Sequence, residues 1–390
     1  MHMLTSRALA APAVLAAAAV LITAPGATAT PRAARQPAPI GGAQLGGKGL
    51  VLNPAAGVPK PPKVSASSYV ISDADTGQIL AAKDPHGYYR PASTLKILTA
   101  ITLIPRLDQK KLVKPSWKAC NTEGSRVGIV PGMKYKISDL FHGLLMVSGN
   151  DAAVSLAQQP QGGVTKTLEL MNAQAKQLQG YDTVAKTPNG LDKKGQHSSA
   201  YDLALFARHG LQNATFRDIV GTVSYKFPAP PTKKQKKKKK RGGYMIYNHD
   251  RLLTEYKGGI GVKNGYTTKA MATFVGAAKR NGHTILISLM HSNPMFWPDA
   301  KKMLNWGFAA RGKVRPVGRL VEPGQSAAQA SPAATAGGRT PAAHAKPDAS
   351  SANGLFGGMG VPVVAVSLAV LILFGAGGYA LARRRRRWFS

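Results

Sequence analysis

The apolar positions change their period along the chain. Tyr69-Val70-Ile71-Ser72 and Gln78-Ile79-Leu80-Ala81 are short extended runs on either side of Asp75-Thr76-Gly77, which predicts a hairpin. From Ser93 to Leu211 the spacing becomes helical. Leu95, Ile97, Leu98, Ala100, Ile101, Leu103 and Ile104 predict a helix that begins at or near Ser93, and residues 137–147 read as a mostly buried helix starting near Ser138. Leu168, Met171, Ala175 and Leu178 share one face of a further helix. Strands return over 273–278 and 284–289, joined through the tight-turn pair Asn281-Gly282, and a last helix is expected over 297–308. Strands at both ends with helices between define an α/β (α+β) chain, an antiparallel sheet flanked by helices plus a helical lobe.

The two ends have other compositions. Arg7 precedes an apolar stretch over 8–24 that closes on the small-residue site Ala27-Thr28-Ala29, so residues 1–29 are expected to be a cleavable secretory signal. Residues 30–65, rich in Pro, Gly and Ala, are expected to be a disordered lead-in. Residues 317–354 turn to Ala, Pro, Gly and Ser without apolar periodicity, which predicts a flexible stalk. Residues 355–382 carry no charge, and their core from 361 onward would span roughly 33 Å as a transmembrane helix. Five arginines follow at once, Arg383 to Arg387, so the tail 383–390 is expected in the cytoplasm and everything before the span outside the cell membrane. No L-P-x-T-G sorting motif precedes the span, which favours a retained anchor. Residues 66–316 remain as one folded domain, long enough for one sizeable core.

The formal charge of +35 arises from 52 basic and 17 acidic side chains, unevenly placed. Lys233, Lys234, Lys236, Lys237, Lys238, Lys239, Lys240 and Arg241 form one run, between Pro228-Ala229-Pro230-Pro231 and Gly242-Gly243, which predicts a projecting, mobile basic loop over 228–243. In a cytosolic chain this would suggest nucleic acid; export removes that partner and leaves wall polyanions or anionic lipids, beside a merely solvated loop. Cys120 is the only cysteine, so no intrachain disulfide forms, and without a paired base it reads as an inert thiol. The nine histidines show no metal-ligand spacing; His142 and His197 read as structural, and neither metal nor cofactor is expected.

Three short motifs carry chemistry. Ser93-Thr94-Leu95-Lys96 is an S-x-x-K tetrad that places an amine beside a hydroxyl on one helical face. A lysine buried there loses its proton and can act as base toward the serine, and backbone N–H groups at the helix start could hold an oxyanion. The tetrad alone equally fits an amphipathic helix with Lys96 in solvent. Ser148-Gly149-Asn150 breaks a buried helix before another begins, offering a proton relay and a substrate hydrogen bond, or simply a helix cap. Lys263-Asn264-Gly265 lies in a glycine-rich strand, Gly258 to Thr268, where a lysine could meet a carboxylate and a peptide could lie along the strand edge. Alone it also describes a glycine-rich hairpin with a solvated lysine. Order and spacing make the set specific where each member is not.

Together with Arg90-Pro91-Ala92-Ser93, Gly143-Leu144-Leu145, Pro188-Asn189-Gly190-Leu191-Asp192 and His197 to Ala204, these motifs resemble the low-molecular-mass penicillin-binding proteins. Those are serine-type D-alanyl-D-alanine carboxypeptidases of the peptidase S11 group, within the serine β-lactamase-like superfamily. The resemblance implies that Ser93 attacks peptidoglycan stem peptides ending in D-Ala-D-Ala and that Lys96 is the base. It implies that Ser148 and Asn150 relay protons and orient substrate. Lys263, Asn264, Gly265, Tyr266 and Thr267 would bind it, and the backbone N–H groups of Ser93 and Tyr266 would form the oxyanion hole. Penicillins and other β-lactams would acylate Ser93. Two departures stand out: Asn264 occupies a position usually held by threonine, and no β-rich C-terminal domain fits before the anchor. A β-lactamase, a DD-endopeptidase or transpeptidase using the same site, and a non-catalytic wall-binding relative remain alternatives. For the first, Glu169-Leu170-Met171-Asn172 offers an E-x-x-N that reads as one face of a helix rather than a catalytic loop.

Overall fold

The computed structural model describes residues 39–238 and 242–324. Its strands are β1 (Leu50–Val51), β2 (Ser68–Asp73), β3 (Gln78–Lys83), β4 (Leu112–Val113), β5 (Tyr135–Lys136), β6 (Ser224–Phe227), β7 (Tyr244–Tyr247), β8 (Gly259–Thr267), β9 (Met271–Arg280), β10 (His283–Ser292) and β11 (Gly318–Arg319). Seven of them form one sheet in the order β1-β3-β2-β10-β9-β8, with β11 also on β3. All its pairings are antiparallel. The expected antiparallel sheet with helices is therefore present.

Both faces of the sheet are covered, which is why its central strands read as unbroken apolar runs rather than alternations. On β10, Ile285, Ile287 and Leu289 pack into one core with Met303, Leu304 and Trp306 of the helix Trp297–Ala310. Leu286 and Met290 face the opposite core, and Ser288 beside them donates to the Ala200 carbonyl at the start of the helix Ala200–Gln212. That second core holds the helical lobe. Every residue of the helix Lys96–Leu103 is buried, so it is a central helix without a solvent stripe. Around it lie Ile137–Met146, Asn150–Ala157 and Gly163–Gln177. The β9–β10 turn uses Asn281 and Gly282 at φ 50° and 80°, the left-handed conformation that a two-residue hairpin requires and that these residues tolerate.

Two expectations about the domain limits are corrected. Residues 30–65 were expected to be disordered, yet from residue 39 onward the chain packs on the sheet: Leu45 is buried, and Leu50 and Val51 pair with Lys83 and Ala82. A stalk was expected from residue 317. Instead Gly318 and Arg319 pair with Ile79 and Gln78, Leu320 donates its N–H to the Gly77 carbonyl at 2.7 Å, and Leu320 and Val321 are fully buried. A two-residue strand has no period of its own; β3 supplies both partners, and Pro- and Gly-rich flanks hide the pairing.

The basic run leaves from the β6–β7 hairpin, which docks on the helical lobe through Tyr225. Its hydroxyl donates to Asp139 Oδ1 at 2.5 Å, and its ring stacks on His142 at 3.8 Å. Lys233–Lys237 form a short helix where a loop was expected. Among the described residues no helix is long and apolar enough to cross a membrane. The apolar stretches at 8–24 and 355–382, and with them the expected signal, anchor and tail, lie outside the described residues.

Candidate active site

Ser93 sits in a 3-10 turn, Ala92–Leu95, that runs directly into the helix Lys96–Leu103. The helix thus starts three residues later than the apolar spacing suggests. Ala92, just before the serine, has φ 47°, a left-handed conformation costing a non-glycine residue about 1–2 kcal/mol. Ser148 has φ 62°. One strained residue therefore adjoins the Ser93 hydroxyl and another carries the Ser148 hydroxyl, held there by the surrounding packing.

The Lys96 amine is completely buried among four oxygens. It lies 2.8 Å from Ser93 Oγ, 3.4 Å from Ser148 Oγ, 2.7 Å from Asn150 Oδ1 and 2.7 Å from the Asn189 carbonyl. Asn150 donates its Nδ2 to the Glu123 carbonyl at 2.7 Å, which orients its oxygen toward the lysine. Burial pushes the Lys96 amine well below its ordinary pKa; the Lys263 charge adds to this and the Asp151 carboxylate opposes it. A neutral amine has two N–H donors and one lone pair. Asn150 Oδ1 and the Asn189 carbonyl can only accept, so they take both donors. The lone pair is left for a hydroxyl, and Ser93 is the nearer of the two.

The third motif runs along β8, the sheet edge beside the 3-10 turn. Gly265 is opposite Thr273, whose hydroxyl donates to the Pro91 carbonyl at 2.8 Å. A Cβ on Gly265 would meet the backbone nitrogens of Ser93 and Thr94 at 2.6 and 3.0 Å. Lys263, two residues earlier on the same face, is buried, and its amine donates to the Asn264 carbonyl at 2.8 Å and lies 3.4 Å from Asn264 Oδ1. It is not a solvated lysine. Desolvation lowers its pKa to about 7, against an opposing pull from Asp250. Thr267, again on that face, accepts the Ala270 N–H at 2.9 Å, which closes the β8–β9 turn and leaves its own O–H to donate elsewhere. Asn264 and Tyr266 alternate with these residues on β8, half-buried and exposed respectively, and the Asn264 carboxamide still reaches the Lys263 amine.

The structure therefore gathers Ser93, Lys96, Ser148 and Asn150 around one amine and brings Gly265 against the nucleophile's backbone. Glu169 is elsewhere: it is exposed and pairs with Lys166 at 3.1 Å, while Asn172 is occupied with the backbone of Ala185. Three contributors escape side-chain motifs. The Asn189 carbonyl is a backbone group, presented by a Pro-Asn-Gly turn in which a Gly190 Cβ would lie 1.8 Å from the Ala92 carbonyl. Asp151, next to Asn150, accepts from the backbone N–H groups of Val127, Gly128 and Ile129, fixing the loop behind the site. Asp250 opposes the effect of burial on Lys263 and favours its charged form.

Residues 55–293 match the peptidase S11 family model, D-alanyl-D-alanine carboxypeptidase. The chain is 38% identical over 265 residues to the D-alanyl-D-alanine carboxypeptidase DacB2 of Mycobacterium tuberculosis, covering 66% of this chain and 87% of that protein. A solved D-alanyl-D-alanine carboxypeptidase from M. tuberculosis superposes with a TM-score of 0.62 at 37% identity, over 68% of this chain and 98% of that one. The Streptomyces K15 DD-transpeptidase superposes with a TM-score of 0.60 at 27% identity, over 64% and 100% of the two chains.

Proposed function

The chain belongs to the peptidase S11 family of serine-type D-alanyl-D-alanine carboxypeptidases, and on that premise we propose that Ser93 carries the reaction as an acyl-enzyme. The family acts on peptidoglycan peptides and is inhibited by β-lactams. The single observation that carries the residue assignment is the buried Lys96 amine, 2.8 Å from Ser93 Oγ with both its N–H donors engaged by carbonyl oxygens.

In this reading Ser93 Oγ attacks the carbonyl carbon of the penultimate D-alanine while its proton passes to the Lys96 lone pair. The oxyanion is received by the backbone N–H groups of Ser93 and Tyr266. Collapse breaks the C–N bond, and the departing D-alanine amine takes a proton from Lys96 through Ser148. Asn150 holds the lysine and the substrate amide in register. Lys263 receives the terminal carboxylate. Water, deprotonated along the same relay, then cleaves the ester. Asn264 keeps a donor where threonine is usual, so activity is retained with altered specificity.

An amine in place of that water would give a transpeptidase, a reading supported by the likeness to the K15 enzyme. The two differ only in the acceptor. The apolar segment 355–382 would anchor the protein in the cell membrane with the catalytic domain outside, and the basic run from Lys233 would meet wall polyanions or anionic lipids; both rest on sequence pattern.

The test is release of free D-alanine from a peptide ending in D-Ala-D-Ala, wild type beside Ser93→Ala. Release by the first and none by the second supports the assignment. Equal release by both removes Ser93 from the mechanism, and labelling of Ser93 by penicillin without release moves the reading to another acceptor.

A further inference from the structure

A second cleft, about 430 Å³, opens beside the nucleophile. Its walls come from three segments that also build the active site: Tyr88, Tyr89 and Arg90 just before the Ser93 turn, Asp192 to His197 just after Gly190, and Lys269 in the β8–β9 turn. Tyr88 stacks on His197 with ring centroids 4.6 Å apart, forming an aromatic floor. Four cations, Arg90, Lys193, Lys194 and Lys269, face one carboxylate, Asp192. Arg90 lies 3.7 Å from Asp192. Among the described residues Lys193, Lys194 and Lys269 form no ion pair, and all three are exposed. Like charges gathered in a cleft repel one another and raise the local concentration of anions.

Resting on the DD-peptidase reading above, we propose that this cleft is a specificity subsite that binds a carboxylate on the acyl half of the peptide, upstream of the bond Ser93 cleaves. The direction follows from β8. A peptide lying along this edge with its terminal carboxylate at Lys263 extends past Gly265 and Thr267, roughly 13 Å of strand, toward the turn that carries Lys269. The acyl half thus arrives at the cleft mouth. A carboxylate there meets three lysines without an acidic partner, while its apolar stem lies on the Tyr88 ring. Lys193, Lys194 and Lys269 touch no reacting atom, so their effect is on which peptide is used.

The test compares peptides ending in D-Ala-D-Ala that carry glutamate or glutamine one or two residues upstream. For wild type at low salt, kcat/KM for the glutamate peptide exceeds that for its glutamine twin by about five- to tenfold at one of these positions, as several exposed lysine contacts allow. The ratio shrinks toward one as ionic strength rises. In Lys193→Gln/Lys194→Gln/Lys269→Gln it is close to one at low salt too, and Lys269→Gln alone gives an intermediate value should the triple variant not fold. A ratio of one in wild type at both positions, or a ratio unchanged in the variants, overturns the proposal. Should neither peptide release D-alanine, the peptidase reading fails instead. Protection of Ser93 from a labelled penicillin by the two peptides, in the same proteins, then decides the subsite by the same ratio.

Discussion

Gly265 and Ser93 approach so closely that a single methyl group on the glycine would come within 2.6 Å of the serine's backbone nitrogen. The strand expected to bind substrate and the turn that carries the nucleophile are therefore one packed unit, and the missing side chain is what lets them meet. Gly265→Ala pushes the two apart by a fraction of an ångström. The expected result is a loss of about a hundredfold in Ser93 acylation by penicillin, with the fold intact by circular dichroism. An acylation rate within threefold of wild type would show that the spacing does not matter.

The two active-site lysines need opposite protonation states. Lys96 acts without its proton and sits well below the ordinary lysine range, whereas Lys263 must keep its proton to meet a carboxylate and is held at about 7 by burial. The pH profile of kcat/KM, which reports the free enzyme, should therefore fall on its alkaline side near pH 7. Bound carboxylate stabilises the charged amine, so the same limb moves upward in kcat. Lys263→Arg removes the limb from kcat/KM, since arginine does not titrate in this range. A limb that persists at the same pH in that variant belongs to another group.

Burial of Lys263 also has a sign for stability. Its folded-state pKa, about 7, lies below the ordinary lysine value of 10.5, so its favourable neutral state is fully present above 10.5 and is lost as pH falls toward 7. Lys263→Met lacks this dependence. Relative to that variant, wild type should gain up to about 5 kcal/mol of unfolding free energy between pH 7 and 10.5, read from denaturant midpoints at several pH values. A difference independent of pH would mean that the lysine is charged throughout.

Glu169 is an exposed residue paired with Lys166 at 3.1 Å, on a helix whose opposite face carries the buried Met171 and Ala175. Glu169→Ala should leave deacylation of a penicilloyl-enzyme within about twofold of wild type. A loss above about tenfold would revive the β-lactamase alternative.

Leu320 tests where the domain ends. It is fully buried beside Val321, and Leu320→Ala should cost about 2–4 kcal/mol by denaturant unfolding. No change would return residues 317 onward to a stalk.

The legible parts of this chain are those whose own side chains repeat or react. Residues 284–289 announce a strand, Asn281-Gly282 announces its turn, and Ser93 with Lys96 announces a hydroxyl beside an amine. What could not be read was supplied by a partner. The Asn189 carbonyl that claims one Lys96 donor has no side-chain signature, and neither has the 3-10 turn Ala92–Leu95 that delays the α-helix to Lys96. Leu50, Val51, Gly318 and Arg319 become strands only because β3 has a free edge to offer. Lys263 reads equally as solvated or buried until the strands around it are placed.

That shared edge has a mechanical consequence. Both continuations of the described chain, before residue 39 and after residue 324, follow segments laced to β3, whereas Ser93 lies against β8 at the far side of the sheet, roughly 20 Å and four strand spacings away. Force entering through either continuation meets the pairing of β1, β3 and β11 before it reaches the nucleophile. A pull on either continuation is therefore expected to disturb the β3 edge before the catalytic edge.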